Sequence, residues 1–321
     1  MKNNTVWILA DDRAGNVNQC LGVAEALGGD YTRKNIIYTP TSWLPNWLRN
    51  ETLIGVDLQK SDSLLPPYPD IVIAAGRKTA PIAAYIKKQH PQCFLVQLMW
   101  PNYPIRCFDL IAIPEHDGKP LRYKNCITTI ATPHRITAKI LAEAKPYWQS
   151  HFAAYPAPYL SLIVGGSTKY NRFTTKHAKE LGKHASALAA SLGASLLVTT
   201  SRRTGKKAEI ALKEAITVPY FFHNWETGGE NPYFGVLAHG EVIIVTGDSM
   251  SMCSEASATG KPVLIYAPPS ITPRKYQRLH KALYLSHNAA PFPGKIPQTI
   301  SPLANSAQEV AAAIRARFLN I

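Results

Sequence analysis

The sequence predicts an α/β protein of two domains, each built on a mostly parallel β-sheet. Apolar runs such as Ile71 to Ala75 and Val242 to Val245 lack the alternation of half-buried strands, which indicates strands buried on both faces. Helix-length segments separate the runs, as in βαβ units. The pattern starts afresh after a proline-rich linker, Tyr155 to Pro158. We therefore place the first domain at residues 1–150 and the second at 151–321, and expect the last helix, about 305–318, to pack back on the first domain.

The chain has 321 residues, of which 46% are hydrophobic, and a formal net charge of +14. This charge favours acidic partners such as nucleotides, lipid phosphates or an anionic membrane face. Nucleic acid is not expected, because the cations are spread along the chain and no nucleic-acid-binding motif is present. The five cysteines lack metal-ligand spacing, and no stretch is apolar over the length needed to cross a bilayer. No signal peptide is expected, because the first apolar run is much shorter than the apolar region of such a peptide. Together these features favour a cytoplasmic protein.

A loop crowded with polar side chains follows the first predicted strand, Thr5 to Ala10. It contains Asp11, Asp12, Arg13, Gly15 and Asn16, and Gln19 lies in the first turn of the next helix. The combination is typical of a site for a polar ligand, whereas an ordinary capped turn would explain only the glycine and the asparagine. One glycine stands where the dinucleotide fingerprint needs three, so a nicotinamide-dependent oxidoreductase is not expected.

An apolar stretch with two tryptophans, Trp43 and Trp47, follows a strand candidate at Asn35 to Tyr38. It either packs inside the domain or touches a membrane surface or a lipid-linked acceptor, and the sequence leaves both open. Arg77 and Lys78 then follow the strand that ends at Ala75, where a helix start and two cations can receive an anion. Further segments are predicted as strands at Phe94 to Met99, Leu110 to Ile113 and Ile127 to Ile130, and as a helix at about Ile136 to Trp148.

Polar or cationic residues also follow three strands of the second domain. Gly165 to Lys169 follow the strand Tyr159 to Val164, Ser201 to Thr204 follow Ser195 to Thr200, and His223 to Trp225 follow Val218 to Phe222. Glycines, hydroxyls and a lysine before a helix suit a phosphate, although the spacing is not that of a P-loop. Arg202 and Arg203 can clamp a diphosphate, so we expect one nucleotide-like ligand to cross these strand ends.

The most informative stretch runs from Glu241 to Ala267 and reads as strand, hydroxyl-rich loop, helix and strand. Glu255 lies about two turns into this helix, where the other positions from Ser249 to Gly260 are small or apolar. A carboxylate there can accept two hydrogen bonds from the vicinal hydroxyls of a ribose. Alternatively it faces solvent or pairs with a lysine.

Several motifs together resemble a bacterial family related to the plant mitochondrial-fission protein. They are Asp12 to Asn16 with Gln19, Pro133 to Thr137, Gly166 to Lys169, Thr200 to Thr204, Asn231 to Tyr233 and Thr246 to Met252. The second half is also similar to the donor half of the lipid-linked N-acetylglucosaminyltransferase of peptidoglycan synthesis. This resemblance implies a GT-B fold, with two Rossmann-like domains facing each other across a cleft, and a glycosyltransferase activity.

The resemblance implies that the second domain binds a nucleotide-diphosphate-sugar as substrate. Glu255 would hold the ribose, and the base would lie near Phe222 to Asn224. The other donor-binding residues would be Gly166, Ser167, Thr168, Lys169, Ser201, Arg202, Arg203, Thr246, Asp248, Ser249 and Ser251. No cofactor and no metal are expected, because helix amino ends and cations can neutralise the leaving diphosphate and no Asp-x-Asp motif is present.

An inverting transfer needs a carboxylate or a histidine on the first domain to deprotonate the acceptor hydroxyl, and Asp12, at the end of the first strand, is the predicted base. The best-known glycosyltransferases of this kind have a glycine-rich loop and a histidine where this chain has Asp12 and Arg13. The acceptor-side residues would be Arg13, Asn16, Gln19, Arg77 and His134. Asp11 and His134 are alternative bases, and Asp12 could instead pair with Arg13 or orient Asn16. The acceptor is expected to be lipid-linked or a cell-envelope glycan, which would hold the protein peripherally on the inner face of the cytoplasmic membrane. Alternative functions are a nucleotide-sugar epimerase or hydrolase on the same fold, and a non-catalytic adaptor like the plant relatives that recruit a fission protein.

Overall fold

The computed structural model describes residues 4–118, 123–169, 171–226, 228–300 and 304–319. The chain divides into two compact units, one formed by Met1–Arg135 with Asn305–Ile321 and the other by Ile136–Ala304. Each unit contains a six-stranded sheet in which neighbouring strands are parallel. The α/β class and the pair of Rossmann-like sheets predicted from the sequence are therefore confirmed.

The first sheet has the order β2-β1-β3-β4-β5-β6. Its strands are β1 (Val6–Ala10), β2 (Tyr31–Asn35), β3 (Ile71–Ala75), β4 (Phe94–Leu98), β5 (Leu110–Pro114) and β6 (Cys126–Thr129). Because β1 pairs with both β2 and β3, the strand order reverses beside β1. The carboxyl ends of β1 and β3 therefore flank a topological switch point, where open α/β sheets bind ligands.

The strand candidate at residues 35–38 is wrong, since β2 ends where that candidate begins. β2 is an edge strand whose middle residues are polar and solvent-facing, so it lacks the apolar run that marks the other strands. The α-helices between the strands of the first sheet are α1 (Ala14–Leu27), α2 (Asn46–Arg49) and α3 (Gly76–Gln89). Two apolar cores, one on each face of the sheet, hold α1 and α3 in place.

The second sheet has the order β12-β11-β10-β7-β8-β9. Its strands are β7 (Tyr159–Val164), β8 (Ser195–Thr200), β9 (Tyr220–His223), β10 (Val242–Thr246), β11 (Val263–Tyr266) and β12 (Ala290–Phe292). The helices of this unit are α4 (Ala138–Phe152), α5 (Thr175–Ser191), α6 (Lys206–Ala215), α7 (Tyr233–His239), α8 (Met250–Ser257) and α9 (Arg274–Leu285). The chain runs outward from β7 to β9 and then returns to place β10 on the other side of β7. The switch point of this unit thus lies between the carboxyl ends of β7 and β10.

Helix α4 belongs to the second unit, whereas the sequence placed the division at residue 150. The reason is packing against α7, where a side chain on Gly235 would overlap the ring of Trp148. The last helix, α10 (Ser306–Ile314), belongs to the first unit, and its Val310 and Ile314 share an apolar core with Val23 of α1. In the described part of the chain, no helix combines the length and the apolar character needed to cross a bilayer.

Candidate functional site

The loops after β7 and β10 are tied to each other at the switch point of the second unit. The N–H of Gly165 donates to Thr246 Oγ1 at 2.8 Å, and the N–H of Gly166 donates to Asp248 Oδ2 at 2.8 Å. A Cβ on Gly165 would overlap the Asp248 carboxylate, and one on Gly166, where φ is +147°, would overlap the backbone of Arg203. Both positions thus require glycine, because neighbouring atoms leave no room for a Cβ. The two N–H groups donate to side chains of the protein, Thr246 and Asp248.

Asp248 and Arg203 form an ion pair at the centre of this loop cluster. Arg203 Nη1 lies 2.8 Å from Asp248 Oδ2, and it also donates to the carbonyls of Gly166 and Ser167. Asp248 is 2% exposed, and its burial raises the pKa of its carboxyl group while Arg203 opposes the rise. The ion pair with Asp248 therefore partly neutralises the charge of Arg203. The contacts of Arg203 also link the loops that follow β7, β8 and β10.

The neighbouring hydroxyls also bond to the backbone of these loops. Ser201 Oγ and Thr204 Oγ1 both donate to the carbonyl oxygen of Gly165. Ser167 Oγ accepts from the N–H of Phe173 at 3.1 Å, which shapes the turn into α5. The side chains of Lys169 and Arg202, by contrast, are exposed. These two cations are the most exposed residues of the predicted donor site, and Ser249 and Ser251 at the start of α8 are partly exposed. Ser249, the residue before α8, makes no side-chain bond to the helix start.

Glu255 on α8 is 5% exposed, so it does not face solvent. Its Oε2 accepts a hydrogen bond from the hydroxyl of Tyr233 at 2.5 Å. Burial and the nearby carboxylate hold the pKa of Tyr233 well above its ordinary value, so the phenol remains a donor. Tyr233 belongs to a sequence motif, Asn231 to Tyr233, but no local pattern gave it a role, because its partner lies on another helix.

His280 is a second residue of this region that sequence reasoning missed. Its ring packs against Gly247, where an added Cβ would lie 2.6 Å from His280 Cε1, and its Nε2 lies 3.9 Å from Cys253 Sγ. Burial lowers the pKa of His280 to about 4, so the ring is neutral at neutral pH. His280 supports the loop after β10 from inside the protein.

In the first unit, the switch point beside β1 carries two aspartates with different partners. Asp12 forms an ion pair with Lys78 of α3, Oδ2 to Nζ 2.7 Å, and does not pair with Arg13. Asp11 is the aspartate that orients Asn16, whose Nδ2 donates to its Oδ2 at 2.7 Å, and it also accepts from the N–H of Arg13. Burial raises the pKa of Asp11 to about 6. The Asp12 side chain is 52% exposed and thus open to a ligand.

Lys78 connects this site to the tryptophan-bearing segment. Its side chain is buried, and its ammonium lies 4.5 Å from the ring centroid of Tyr38 and 5.2 Å from that of Trp43. Two aromatic faces and one carboxylate thus stabilise a buried cation.

The other predicted acceptor-side residues are spread over the unit. Arg13 is exposed just before α1, while Gln19 is buried with its Nε2 3.8 Å from Met99 Sδ. Arg77 donates to the carbonyls of Leu44 and Ser42, so it fixes the tryptophan-bearing segment to α3. His134 is 1% exposed, and burial lowers its pKa to about 4. Its backbone lies against Gly22 of α1, where an added Cβ would overlap the His134 carbonyl oxygen.

The fold is similar to that of solved nucleotide-sugar enzymes. The UDP-GlcNAc 2-epimerase of Methanocaldococcus jannaschii matches with a TM-score of 0.54 and 12% identity, covering 97% of this chain and 99% of that one. The same enzyme in complex with UDP-GlcNAc and UDP has a TM-score of 0.51. Spinosyn forosaminyltransferase matches with a TM-score of 0.51 and 13% identity, covering 99% and 95%. At these identities the similarity shows the fold, and both epimerases and glycosyltransferases share it.

Two relatives are similar in sequence. An uncharacterised protein of Rickettsia prowazekii is 31% identical over 307 residues, covering 85% of this chain and 86% of that protein. The mitochondrial fission protein ELM1 of Arabidopsis thaliana is 30% identical over 219 residues, covering 61% of this chain and about half, 51%, of that protein. The profile of the family described as mitochondrial fission ELM1 matches residues 14–318. The chain therefore belongs to the mitochondrial fission ELM1 family.

Proposed function

We propose that this protein transfers a sugar from a nucleotide-diphosphate-sugar to a hydroxyl acceptor. The observation that carries the proposal is Glu255, a buried carboxylate held by Tyr233 beside the switch point of the second sheet. The two oxygens of a buried carboxylate can accept hydrogen bonds from the two vicinal hydroxyls of a ribose. The fold shared with UDP-sugar enzymes supports the same ligand class.

The diphosphate would lie over the loops after β7, β8 and β10. The exposed cations Lys169 and Arg202 and the start of α8, with Ser249 and Ser251, would stabilise its charge. Arg203 and Asp248 would hold these loops in position, and the nucleobase would lie near the end of β9. Because these groups together can stabilise the leaving diphosphate, we propose a reaction that needs no metal.

Asp12 is the proposed catalytic base. Its half-exposed carboxylate can receive the proton of an acceptor hydroxyl, whereas both oxygens of Asp11 already accept bonds from Asn16 and Arg13. The ion pair with Lys78 would keep the carboxylate in one orientation. If Asp12 is the base, Asp12→Asn abolishes transfer but leaves donor binding unchanged; full transfer by the variant would refute the assignment.

We further propose a lipid-linked acceptor reached from an anionic membrane surface. Of the fifteen large apolar side chains that are exposed in the described residues, eight lie between residues 37 and 65. They are Ile37, Trp43, Leu44, Trp47, Leu48, Ile54, Leu58 and Leu65. Such a concentration is typical of an interaction surface, and the net charge of +14 suits anionic lipid.

Vesicle sedimentation tests the membrane proposal. The protein should sediment with phosphatidylglycerol vesicles, and the double variant Trp43→Ser/Leu58→Ser should sediment less. The matched control is Trp225→Ser, which removes an exposed tryptophan of the second unit. Equal sedimentation of all three proteins, or none with any vesicle, would contradict a membrane surface at residues 37–65.

The epimerase fold neighbours favour one second candidate, a nucleotide-sugar epimerase or hydrolase. It would release an epimer or free sugar from the donor without any acceptor. The ELM1 relative motivates a non-catalytic adaptor, for which a Glu255→Ala protein would keep its biological effect.

The first experiment is a thermal-shift and calorimetric screen against UDP, GDP, CMP, dTDP and their sugars. A ligand that binds only the folded protein raises its apparent stability. We expect a shift with one nucleotide that is lost in Glu255→Ala and kept in Glu214→Ala, an exposed glutamate of the same unit paired with Lys179. No shift with any nucleotide would overturn the transferase proposal and favour the adaptor.

A further inference from the structure

A cavity of about 470 Å³ lies in the first unit, beside α2. Among the residues that line it are Asn46, Trp47, Asn50, Arg77, Asn102 and Tyr103. The volume is in the range of small-molecule sites. Its lining joins three amides and a guanidinium to two aromatic rings, which is a different chemistry from the carboxylates and hydroxyls of the proposed donor site.

Asn46 supplies a buried acceptor in the wall of this cavity. The residue is 4% exposed, and its Nδ2 lies 3.0 to 3.2 Å from the carbonyls of Arg77, Pro101 and Asn102. Three acceptors around one nitrogen fix which way the amide points. Its Oδ1 is buried and has no hydrogen-bond partner among the described residues. A buried acceptor without a donor costs free energy.

Two more asparagines of the lining have left-handed backbones, with φ of +44° at Asn50 and +48° at Asn102. Glycine is the least strained residue at such positions, and strained residues cluster at ligand sites. Asn50 Oδ1 accepts from the hydroxyl of Tyr103 at 3.3 Å, whereas the Asn102 side chain is exposed. An amide side chain thus lines the cavity at position 102, where the positive φ would be least strained for glycine.

Trp47 supplies an exposed aromatic ring to the cavity lining. It is 76% exposed, although burial of its indole would be favourable. An exposed ring beside several amides and an arginine suits a saccharide, whose C–H face stacks on an aromatic ring while its hydroxyls bind planar polar groups. A hydrocarbon chain, by contrast, could not hydrogen-bond the exposed amide of Asn102.

From these contacts we infer that the cavity is a saccharide-binding subsite, which takes a sugar unit of the acceptor. The inference rests on the proposed function, since it names the acceptor class for the side of the protein that carries Asp12 and Arg77. The cavity lies at the edge of the apolar surface at residues 37–65, and Trp47 belongs to both. Trp43 belongs to that surface but does not line the cavity, and the proposed occupant of the surface outside the cavity is lipid.

Saturation-transfer NMR with the full chain tests the inference, with N,N′-diacetylchitobiose, maltose and cellobiose as probes. At least one should bind, and Trp47→Ala and Asn102→Gly should each weaken it by about tenfold, the loss of one good contact. Asn102→Gly suits the left-handed backbone, so it removes the amide without destabilising the fold. Trp43→Ala is the matched control, because Trp43 is similarly exposed and is not among the lining residues.

Unchanged affinity in both cavity variants, equal weakening by Trp43→Ala, or no binding of any probe would overturn the subsite. A nucleotide shift in the thermal screen together with no saccharide binding refutes the subsite alone. Saccharide binding together with no nucleotide shift refutes the transferase proposal and keeps the saccharide site.

Discussion

The hydroxyl of Tyr233, at the start of α7, donates a hydrogen bond to Glu255 Oε2 on α8 at 2.5 Å. The bond helps to fix the rotamer of a buried carboxylate on a helix that carries mostly small and apolar side chains. An oxygen of a carboxylate accepts two hydrogen bonds, so Oε2 can hold Tyr233 and a ligand hydroxyl together. Tyr233 is therefore a positioning residue for the proposed ribose site.

Tyr233→Phe should reduce the preference for ribose over deoxyribose. With a less oriented carboxylate, the affinity for UDP should fall by roughly tenfold while that for 2′-deoxy-UDP changes little. Isothermal titration with both nucleotides measures the ratio. Tyr266→Phe is the control, since Tyr266 bonds Glu180 at 3.3 Å elsewhere in the unit. A ratio unchanged in Tyr233→Phe would mean that this bond is only structural.

Sequence patterns located the loops of the candidate site but not which of these loops are neighbours in space. Polar residues after apolar runs are local features, and they correctly placed Asp12, Gly166 and Asp248 in the loops that follow β1, β7 and β10. The switch points depend on sheet order, which no local pattern records. Lys78 and Asp12 meet although they are far apart in the chain, and that pairing replaces the local pairing of Asp12 with Arg13.

Lys261, just before β11, has a structural role that the local sequence does not show. Its ammonium donates to the carbonyls of Leu237 and Ala238 at 2.8 and 2.7 Å. It thus supplies a donor to two carbonyls near the end of α7, where the helix itself provides none. The sequence could not distinguish this cap from a ligand contact, because the accepting helix lies more than twenty residues upstream.

Gly166→Ala should destabilise the second unit more than an ordinary glycine substitution. The added Cβ would overlap the Arg203 backbone in addition to the strain of a positive φ, so we expect a loss of about 2–4 kcal/mol in the free energy of unfolding. Gly193→Ala is the control, since Gly193 has φ of +61° with no atom near its Cβ position and should lose about 1 kcal/mol. Urea denaturation measures both. Equal losses would argue against the tight contact with Arg203.

The two adjacent arginines should respond differently to removal. Arg203→Ala leaves the Asp248 carboxylate buried without its cation, so the free energy of unfolding should fall by about 3 kcal/mol. Arg202→Ala removes an exposed side chain and should change that free energy by less than about 0.5 kcal/mol. If Arg202 faces the diphosphate, its variant should bind UDP more weakly but uridine equally well. Calorimetry with both ligands checks this, and parallel losses for the two would place Arg202 away from the phosphates.

Asp11 should make the stability of the protein depend on pH in a direction opposite to that of a salt-bridged aspartate. Burial raises its pKa from the ordinary value of 3.8 to about 6, so between these values the folded protein binds more protons than the unfolded chain. The contribution of Asp11 to the free energy of unfolding therefore falls as the pH rises from about 4 to about 6, and is constant above about pH 7. Asp11→Asn cannot titrate, so the stability of the wild-type protein relative to this variant should decline over the same range. Urea denaturation of both proteins at several pH values measures this difference; curves that stay parallel from pH 4 to pH 7 would show that Asp11 ionises normally in the folded protein.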